Sequence, residues 1–260
     1  MVTKMASEII LFGMTFSPQA VAIGAISLIL ALLFRRMGLN NPAAKNSTNN
    51  GFDKEKTFDL IRSRRTIMPK EYVTDGKLTA DEISLILEAA NWAPTHQKTE
   101  PWRYVIISSK DTIEEYFDFL EDWYDTHDVG DNEMIKFKSK LESLRAQWPF
   151  RVSHMILLGM RRASIPEKRL PEWEEISAVA MSVQNMHLMA TSLENVGAFW
   201  SSHTWCKAAR DSEELRNAYF DHLLPDPDDR VFGALVLGKY PPGKQYRSTR
   251  TNISEKIIWK

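Results

Sequence analysis

The stretch from Glu172 to Asn195 constrains the fold most, because its apolar side chains occupy nearly the whole circumference of a helix. A helix that is apolar all round is buried on every side. Gly197 follows closely, and a glycine commonly ends a helix. We therefore expect one central helix, around which the rest of a domain packs.

Other segments carry helix and strand patterns in no regular alternation. Helices are predicted from Lys54 to Ser63 and from Thr79 onward, where Thr79 and Glu82 fit a capping box. Strands are predicted in β-branched or continuously apolar segments, namely Arg103 to Ser108, Met155 to Gly159, Ala198 to Ser202 and Val231 to Leu237. This irregular order predicts an α+β fold class.

The segment from Asp111 to Glu133 combines aromatic side chains with ten acidic residues and contains no lysine or arginine. The favoured interpretation is an amphipathic helix with a solvated acidic face. The alternative is a lid over a pocket.

An uncharged, largely apolar run extends from Ile9 to Phe34, with Arg35 and Arg36 directly after it. About 20 apolar residues suffice for a helix to cross a membrane, and the arginines favour a cytosolic position for the C-terminal side of the run. A cleaved signal peptide and an organelle-targeting leader are the alternatives. We expect a single-pass membrane protein with a cytosolic domain, divided into a tail and membrane helix at 1–36, a flexible linker at 37–52 and a globular domain at 53–260.

The inventory of reactive side chains gives no support to several function classes. Cys206 is the single cysteine, and no two of the six histidines have the helical spacing of a zinc motif, so we expect no metal site. The formal net charge of −1 gives no reason to expect a nucleic-acid partner. The sequence also has no glycine-rich phosphate loop and no serine nucleophile elbow. An organic cofactor that is held without such a loop is still compatible with this inventory.

Three local motifs occur in order. Ser-Arg-Arg-Thr at 63–66 follows the first helix of the domain, and Ala-Pro-Thr-His at 93–96 leads to Pro-Trp at 101–102 and a strand. Val-Gly-Ala-Phe-Trp-Ser-Ser at 196–202 leaves the central helix. In order and spacing these motifs resemble the nitroreductase family, and the resemblance covers nearly everything from Lys54 on. It implies a mainly antiparallel central sheet flanked by helices.

The resemblance implies FMN as the cofactor and places FMN contacts in these motifs. Guanidinium forks and a hydroxyl also suit phosphate oxygens on chemical grounds. Ser201 stands where similar proteins carry an arginine, so Lys244, Arg247 or Arg250 of the basic tail is the candidate replacement. The residues expected to bind the cofactor are Arg64, Arg65, Thr66, Trp92, His96, Trp200, Ser201 and Ser202.

The resemblance further implies a homodimeric FMN-dependent oxidoreductase. NADPH or NADH would donate a hydride, and a small nitroaromatic, quinone or related conjugated molecule would accept electrons in a ping-pong cycle. The chemistry belongs to the flavin, so no protein acid, base or nucleophile is assigned. Two alternatives stay open: a membrane-tethered dehalogenase that resembles iodotyrosine deiodinase, and a non-catalytic flavin-binding membrane protein.

Overall fold

The computed structural model describes residues 9–11, 14–16, 51–201 and 212–260. The chain separates into two units, Met1–Phe52 and Asp53–Lys260. In the first unit, strands β1 (Ile9–Leu11) and β2 (Met14–Phe16) pair antiparallel.

These strands correct the predicted membrane helix. Ile9–Leu11 and Met14–Phe16 begin the apolar run, and their backbone groups pair between strands instead of within a helix. In the part of the chain that the structure describes, no helix has the length and apolar character needed to cross a membrane. Residues 17–34 of the predicted span and residues 37–50 of the predicted linker lie outside the described residues. The predicted single-pass membrane location is wrong, because the apolar run begins with paired strands and no described helix could cross a membrane.

The second unit is built on a four-stranded antiparallel sheet in the order β3-β4-β6-β5. The register pairs Ile106 with Ile156, Ile156 with Leu235, and Trp200 with Leu235. The strands run over β3 Trp102–Ile107, β4 His154–Met160, β5 Val196–Ser201 and β6 Arg230–Lys239.

Helices cover both faces of this sheet, which confirms the α+β class and the mainly antiparallel sheet. Successive side chains of a strand point to opposite faces. Met155 and Leu157 of β4 accordingly enter one buried cluster, and Ile156 and Leu158 enter the other. The helices are α1 Lys54–Ser63, α2 Ala80–Asn91, α3 Lys110–Thr126, α4 Asp131–Arg145, α5 Trp148–Arg151, α6 Glu172–Ser192 and α7 Glu213–Leu215.

Helix starts follow from local side-chain chemistry. The Asp53 carboxylate accepts hydrogen bonds from the first backbone amides of α1, at Glu55 and Lys56. Thr79 and Glu82 form the predicted capping box at the start of α2. A side-chain acceptor at this position satisfies amides that have no partner within the helix.

Most of the acidic segment forms an amphipathic helix, as the favoured interpretation predicted, but this helix ends at Thr126 and Asp131 to Glu133 begin α4. One side of α3 is buried and carries Phe117, Leu120 and Tyr124 among others. Arg145 of α4 binds three carboxylates of the other side, on Glu114, Asp118 and Glu121. The arginine therefore holds α3 and α4 together and offsets part of the acidic charge.

The central helix α6 differs from its prediction. Val179, Val183 and Met186 are buried, but Trp173 and Met181 on another side of the helix are 68% and 39% exposed. The periodicity indicated the apolar character of every side of the helix, yet the described part of the chain covers only some of these sides. An apolar strip on α6 therefore faces outward.

Candidate functional site

The segment that follows α1 brings two sequence motifs side by side. Thr66 forms a parallel β-bridge with Ala198 of β5. The amide of Ile67 donates a hydrogen bond to the Ala198 carbonyl at 3.1 Å. Because the bridge aligns residues 64–67 with the strand that leads to Trp200, the Ser-Arg-Arg-Thr motif borders the Phe-Trp-Ser motif.

Tyr72 fastens this segment to the sheet. Its hydroxyl lies 2.9 Å from the Ile67 carbonyl and 3.0 Å from the Val236 carbonyl. Its ring occupies the space over Gly197 and Gly238, where a Cβ would come within 2.6 Å and 2.3 Å of ring carbons. The two glycines are paired across β5 and β6. Glycine at both positions therefore lets the tyrosine ring lie directly on the sheet.

Arg64 belongs to a group of positive charges beside residues 64–67. Burial together with the charges of Arg250 and Arg65 lowers the pKa of Arg64. Within the described residues Arg64 forms no ion pair with a carboxylate. Cations brought together without an acidic partner favour the binding of an anion, and arginine suits phosphate oxygens through paired hydrogen bonds.

The charge of Arg64 acts on His187 of α6. The residue is 5% exposed. Burial and the Arg64 charge lower the pKa of His187 to about 4, so the imidazole is neutral at neutral pH. Its Nδ1 atom has no hydrogen-bond partner in the described part of the chain. A buried polar atom of this kind costs about 1–3 kcal/mol unless something satisfies it.

The charge of Arg65 acts on Arg64, but the Arg65 guanidinium is hydrogen-bonded to the backbone. One of its terminal nitrogens, Nη1, donates to the carbonyls of Arg62 and Arg64, at 2.5 and 2.7 Å. Arg65 also lines a cleft of about 660 Å³ together with Lys244 and Arg247 of the tail, whereas Arg64 and Thr66 do not. The two arginines of the motif therefore serve two different surfaces.

The Trp200 motif lies at the end of β5. The Trp200 indole N–H donates to the Phe232 carbonyl at 3.0 Å, which leaves the ring partly buried against the sheet. Ser201 is the last residue of β5 and pairs with Ala234 of β6. Ser202 lies outside the described residues.

Trp92 and His96 form a separate group after α2. The Trp92 ring is exposed, and its N–H donates to a Glu88 carboxylate oxygen at 2.9 Å. His96 begins a tight turn, and its Nδ1 lies 2.5 Å from Oε2 of Glu174 in α6. A pocket of about 350 Å³ adjoins this pair and is lined by Pro94, Thr95, His96, Trp173, Glu174, Ser177, Ala178 and Met181.

The two groups meet α6 at different places. Glu174 contacts His96, and His187 lies beside Arg64, so the groups meet α6 at points thirteen residues apart. At the helical rise of 1.5 Å per residue, this is about 20 Å. The Thr66–Ala198 bridge thus places the Ser-Arg-Arg-Thr motif beside β5, the strand that ends with Trp200 and Ser201, whereas Trp92 and His96 follow α2 and are not joined to this group.

Sequence reasoning missed three residues of these surroundings. His187 and Glu174 lie within the apolar pattern of α6, which by itself indicates packing alone. Tyr72 follows the motif by six residues and carries no signal of its own. Polar residues inside a buried helix pattern were the usable signal for His187 and Glu174, because such residues need a reason to be buried.

The described residues contain no group of three or more His, Cys, Asp or Glu side chains that could hold a metal ion. The arrangement is that of an α+β domain with arginines beside a strand edge.

Comparison with known proteins agrees with this class. The sequence matches the Nitroreductase family over residues 61–239. The chain belongs to the nitroreductase family.

Individual relatives are more distant. The chain is 26% identical over 204 residues to YfhC of Bacillus subtilis (strain 168), a protein named as an NAD(P)H nitroreductase; the match covers 76% of this chain and 91% of YfhC.

Solved structures share the fold at lower identity. A nitroreductase-like protein from Bacillus cereus superposes with a TM-score of 0.59 at 19% identity, covering 78% of this chain and 95% of the other. A nitroreductase with bound FMN from Bacteroides fragilis superposes with a TM-score of 0.58 at 19% identity, covering 79% and 99%.

Proposed function

We propose that the protein is an FMN-dependent NAD(P)H oxidoreductase that reduces nitroaromatic, quinone or related conjugated acceptors by ping-pong hydride transfer. The observation that carries the proposal is the cluster of Arg64 and Thr66 beside β5, where Thr66 bridges Ala198 and the positive charge of Arg250 acts on Arg64. Family membership supplies the reaction class, and this cluster supplies a place for the cofactor phosphate.

The residues present fit a phosphate group. FMN carries a dianionic phosphate, and two arginines with no carboxylate partner among the described residues would offset that charge. Thr66 is exposed on the same side as Arg64 and adds a hydroxyl. The sequence left Lys244, Arg247 and Arg250 as candidates to replace the arginine that is missing at Ser201. We assign this role to Arg250, because its charge acts on Arg64. Arg65 is not assigned to this phosphate, because it lines the opposite surface.

The relatives support the choice of cofactor and donor. The Bacteroides fragilis structure contains FMN, and YfhC is named for NAD(P)H. When bound, FMN supplies the redox chemistry, since it takes up a hydride from a reduced nicotinamide and releases electrons to an acceptor. The chain's own side chains then have to bind and orient the cofactor.

A second copy of the chain completes the site in this proposal. Within one chain, His96 contacts α6 at Glu174, about 20 Å along the helix from His187, on which the Arg64 charge acts. His96 adjoins the exposed apolar strip of α6, with Trp173 and Met181. A symmetric dimer that buries this strip would bring the His96 group of one protomer toward the Arg64 group of its partner.

Purification of the full chain tests the proposal directly. We expect a yellow protein with the visible absorbance of oxidised flavin, which NADPH or NADH bleaches under anaerobic conditions. Reoxidation by a panel containing a nitroaromatic, a quinone and a halotyrosine then identifies the acceptor class. A colourless protein that takes up no FMN would contradict the proposal, and exclusive turnover of the halotyrosine would favour the dehalogenase alternative.

A further inference from the structure

A second cationic surface lies on the other side of residues 64–67. The cleft of about 660 Å³ opens between α1, this segment, the end of α6 and the C-terminal tail. Its lining contains one acidic residue, Asp59, and four cationic residues, which are Arg62, Arg65, Lys244 and Arg247.

Two of the four cations already have acidic partners. Arg62 binds Asp59 at 2.7 Å, and Lys244 binds Glu71. Among the described residues, Arg65 and Arg247 have no such partner. The Nε atom of Arg65 is buried without a hydrogen-bond partner in the described part of the chain. Arg247 is exposed. The cleft therefore carries positive charge that the described residues leave uncompensated.

The same cleft offers aromatic surface. Tyr240 and Tyr246 both line it and pack edge to face, with ring centroids 5.5 Å apart. Aromatic side chains stack against flat rings such as nucleobases. The cleft volume falls within the roughly 300–1,000 Å³ of small-molecule sites. Charge, aromatic surface and size together describe a ligand that has both a phosphate and a ring.

We propose that this cleft binds a mononucleotide-sized phosphate ester, with its phosphate at Arg65 and Arg247 and its ring against Tyr240 and Tyr246. The site is separate from the one proposed for the FMN phosphate. Successive residues of an extended chain point to opposite sides. Arg65 and Ile67 accordingly line the cleft, whereas Arg64 and Thr66 do not.

Calorimetric titration of the full chain, saturated with FMN, tests the proposal with adenosine 5′-monophosphate as the probe. Adenosine and inorganic phosphate serve as the two half-ligands. We expect one site for the nucleotide and at least about tenfold weaker binding of either half, because a charged hydrogen bond contributes roughly that factor. Absence of nucleotide binding overturns the proposal. If adenosine binds as tightly as the nucleotide, the phosphate has no role, and if inorganic phosphate does, the ring has none.

Two tail variants form a matched pair. Arg247→Gln should weaken nucleotide binding about tenfold or more while FMN affinity stays unchanged. Arg250→Gln, three residues further along the same tail, should weaken FMN binding and leave the nucleotide affinity unchanged. Both residues are exposed, so both variants are expected to melt at the wild-type temperature.

The outcome also separates this site from the flavin site. If Arg247→Gln weakens FMN binding, or the nucleotide displaces FMN, the cleft belongs to the flavin site and the proposal is wrong. If the chain takes up no FMN but binds the nucleotide through Arg247, the proposed function fails and this site stands.

Discussion

At the scale of single residues, one arginine motif serves two surfaces. Arg64 faces α6 and Arg250, and Arg65 faces the tail cleft. Sequence pattern treats the two arginines as equivalent, since both are adjacent to the same helix end. Their separation is a consequence of extended backbone, in which neighbouring side chains diverge.

The first residue-scale prediction concerns Arg64→Gln. Loss of one charged hydrogen bond to phosphate should weaken FMN binding by about 1.5–3 kcal/mol, measured by fluorescence titration of the apoprotein. Arg230→Gln is the control. Arg230 pairs with Glu172 at the start of β6, whereas residues 64–67 border the part of β5 that pairs with the other end of β6, near Lys239. Equal FMN affinity in the two variants would remove Arg64 from the phosphate site.

The second residue-scale prediction concerns His187 and pH. The folded pKa of about 4 lies below the ordinary value of 6.5, so the unfolded chain binds the extra proton more readily between these values. The contribution of His187 to the free energy of unfolding is therefore complete above pH 6.5 and is lost as the pH falls to 4. The loss amounts to about 3 kcal/mol.

Urea unfolding of His187→Gln between about pH 4 and pH 7.5 measures this effect. The variant should lose much of the wild-type decline in stability, with a remainder due to His154, whose pKa is also lowered by burial and by the Lys77 charge. Ser192→Ala, at an exposed position of the same helix as His187, removes no titrating group and should keep the full decline. A wild-type pH profile in His187→Gln would show that His187 is not the titrating group.

At the scale of elements, the position of the arginine motif depends on Tyr72. Carbonyls of two different elements lie within hydrogen-bonding distance of its hydroxyl, and a glycine pair of β5 and β6 leaves room for its ring. The segment from Arg64 to Ile67 is therefore held on the sheet by packing that no local pattern encodes.

Gly238→Ala tests this arrangement. The new methyl group would meet a ring carbon of Tyr72 at 2.3 Å and should lower the free energy of unfolding by about 1–3 kcal/mol, measured with urea. Gly51→Ala is the control, since no atom lies within 4 Å of the corresponding Cβ. In a Tyr72→Ala background the cost of Gly238→Ala should shrink, and an unchanged cost would mean that the ring is not the obstacle.

At the scale of the whole molecule, the described part of the chain leaves an apolar strip of α6 exposed beside His96. Trp173, Ile176 and Met181 contribute to this strip. Exposed apolar patches next to a split site mark an interface, and a symmetric dimer uses the same patch twice. Assembly and cofactor binding are therefore expected to depend on each other.

Trp173→Glu tests this expectation in the full chain. By analytical ultracentrifugation the wild type should sediment as a dimer, and the variant should dissociate at concentrations where the wild type does not, because a carboxylate would be buried at the interface. Ile135→Glu on α4 is the control, with a side chain 67% exposed against 68% for Trp173. A monomeric wild type that binds FMN normally would contradict the dimeric site.

Local pattern was sufficient for much of the fold. It placed α1 at Lys54–Ser63, and the capping box at the start of α2 is confirmed. It also detected β4 and β6, because strands buried on both faces are continuously apolar. The three motifs indicated the family. Each of these features depends on neighbours in sequence, so one sequence contains the information.

Tertiary structure alone decided the rest. The apolar run that begins at Ile9 could not be recognised as strand-forming at its start, since hydrophobicity does not distinguish a membrane helix from paired strands over a few residues. The separation of Arg64 from Arg65 and the distance from His96 to His187 likewise depend on contacts between distant segments. The sequence indicates which side chains can bind a phosphate, but the folded backbone determines which of these side chains face the same ligand.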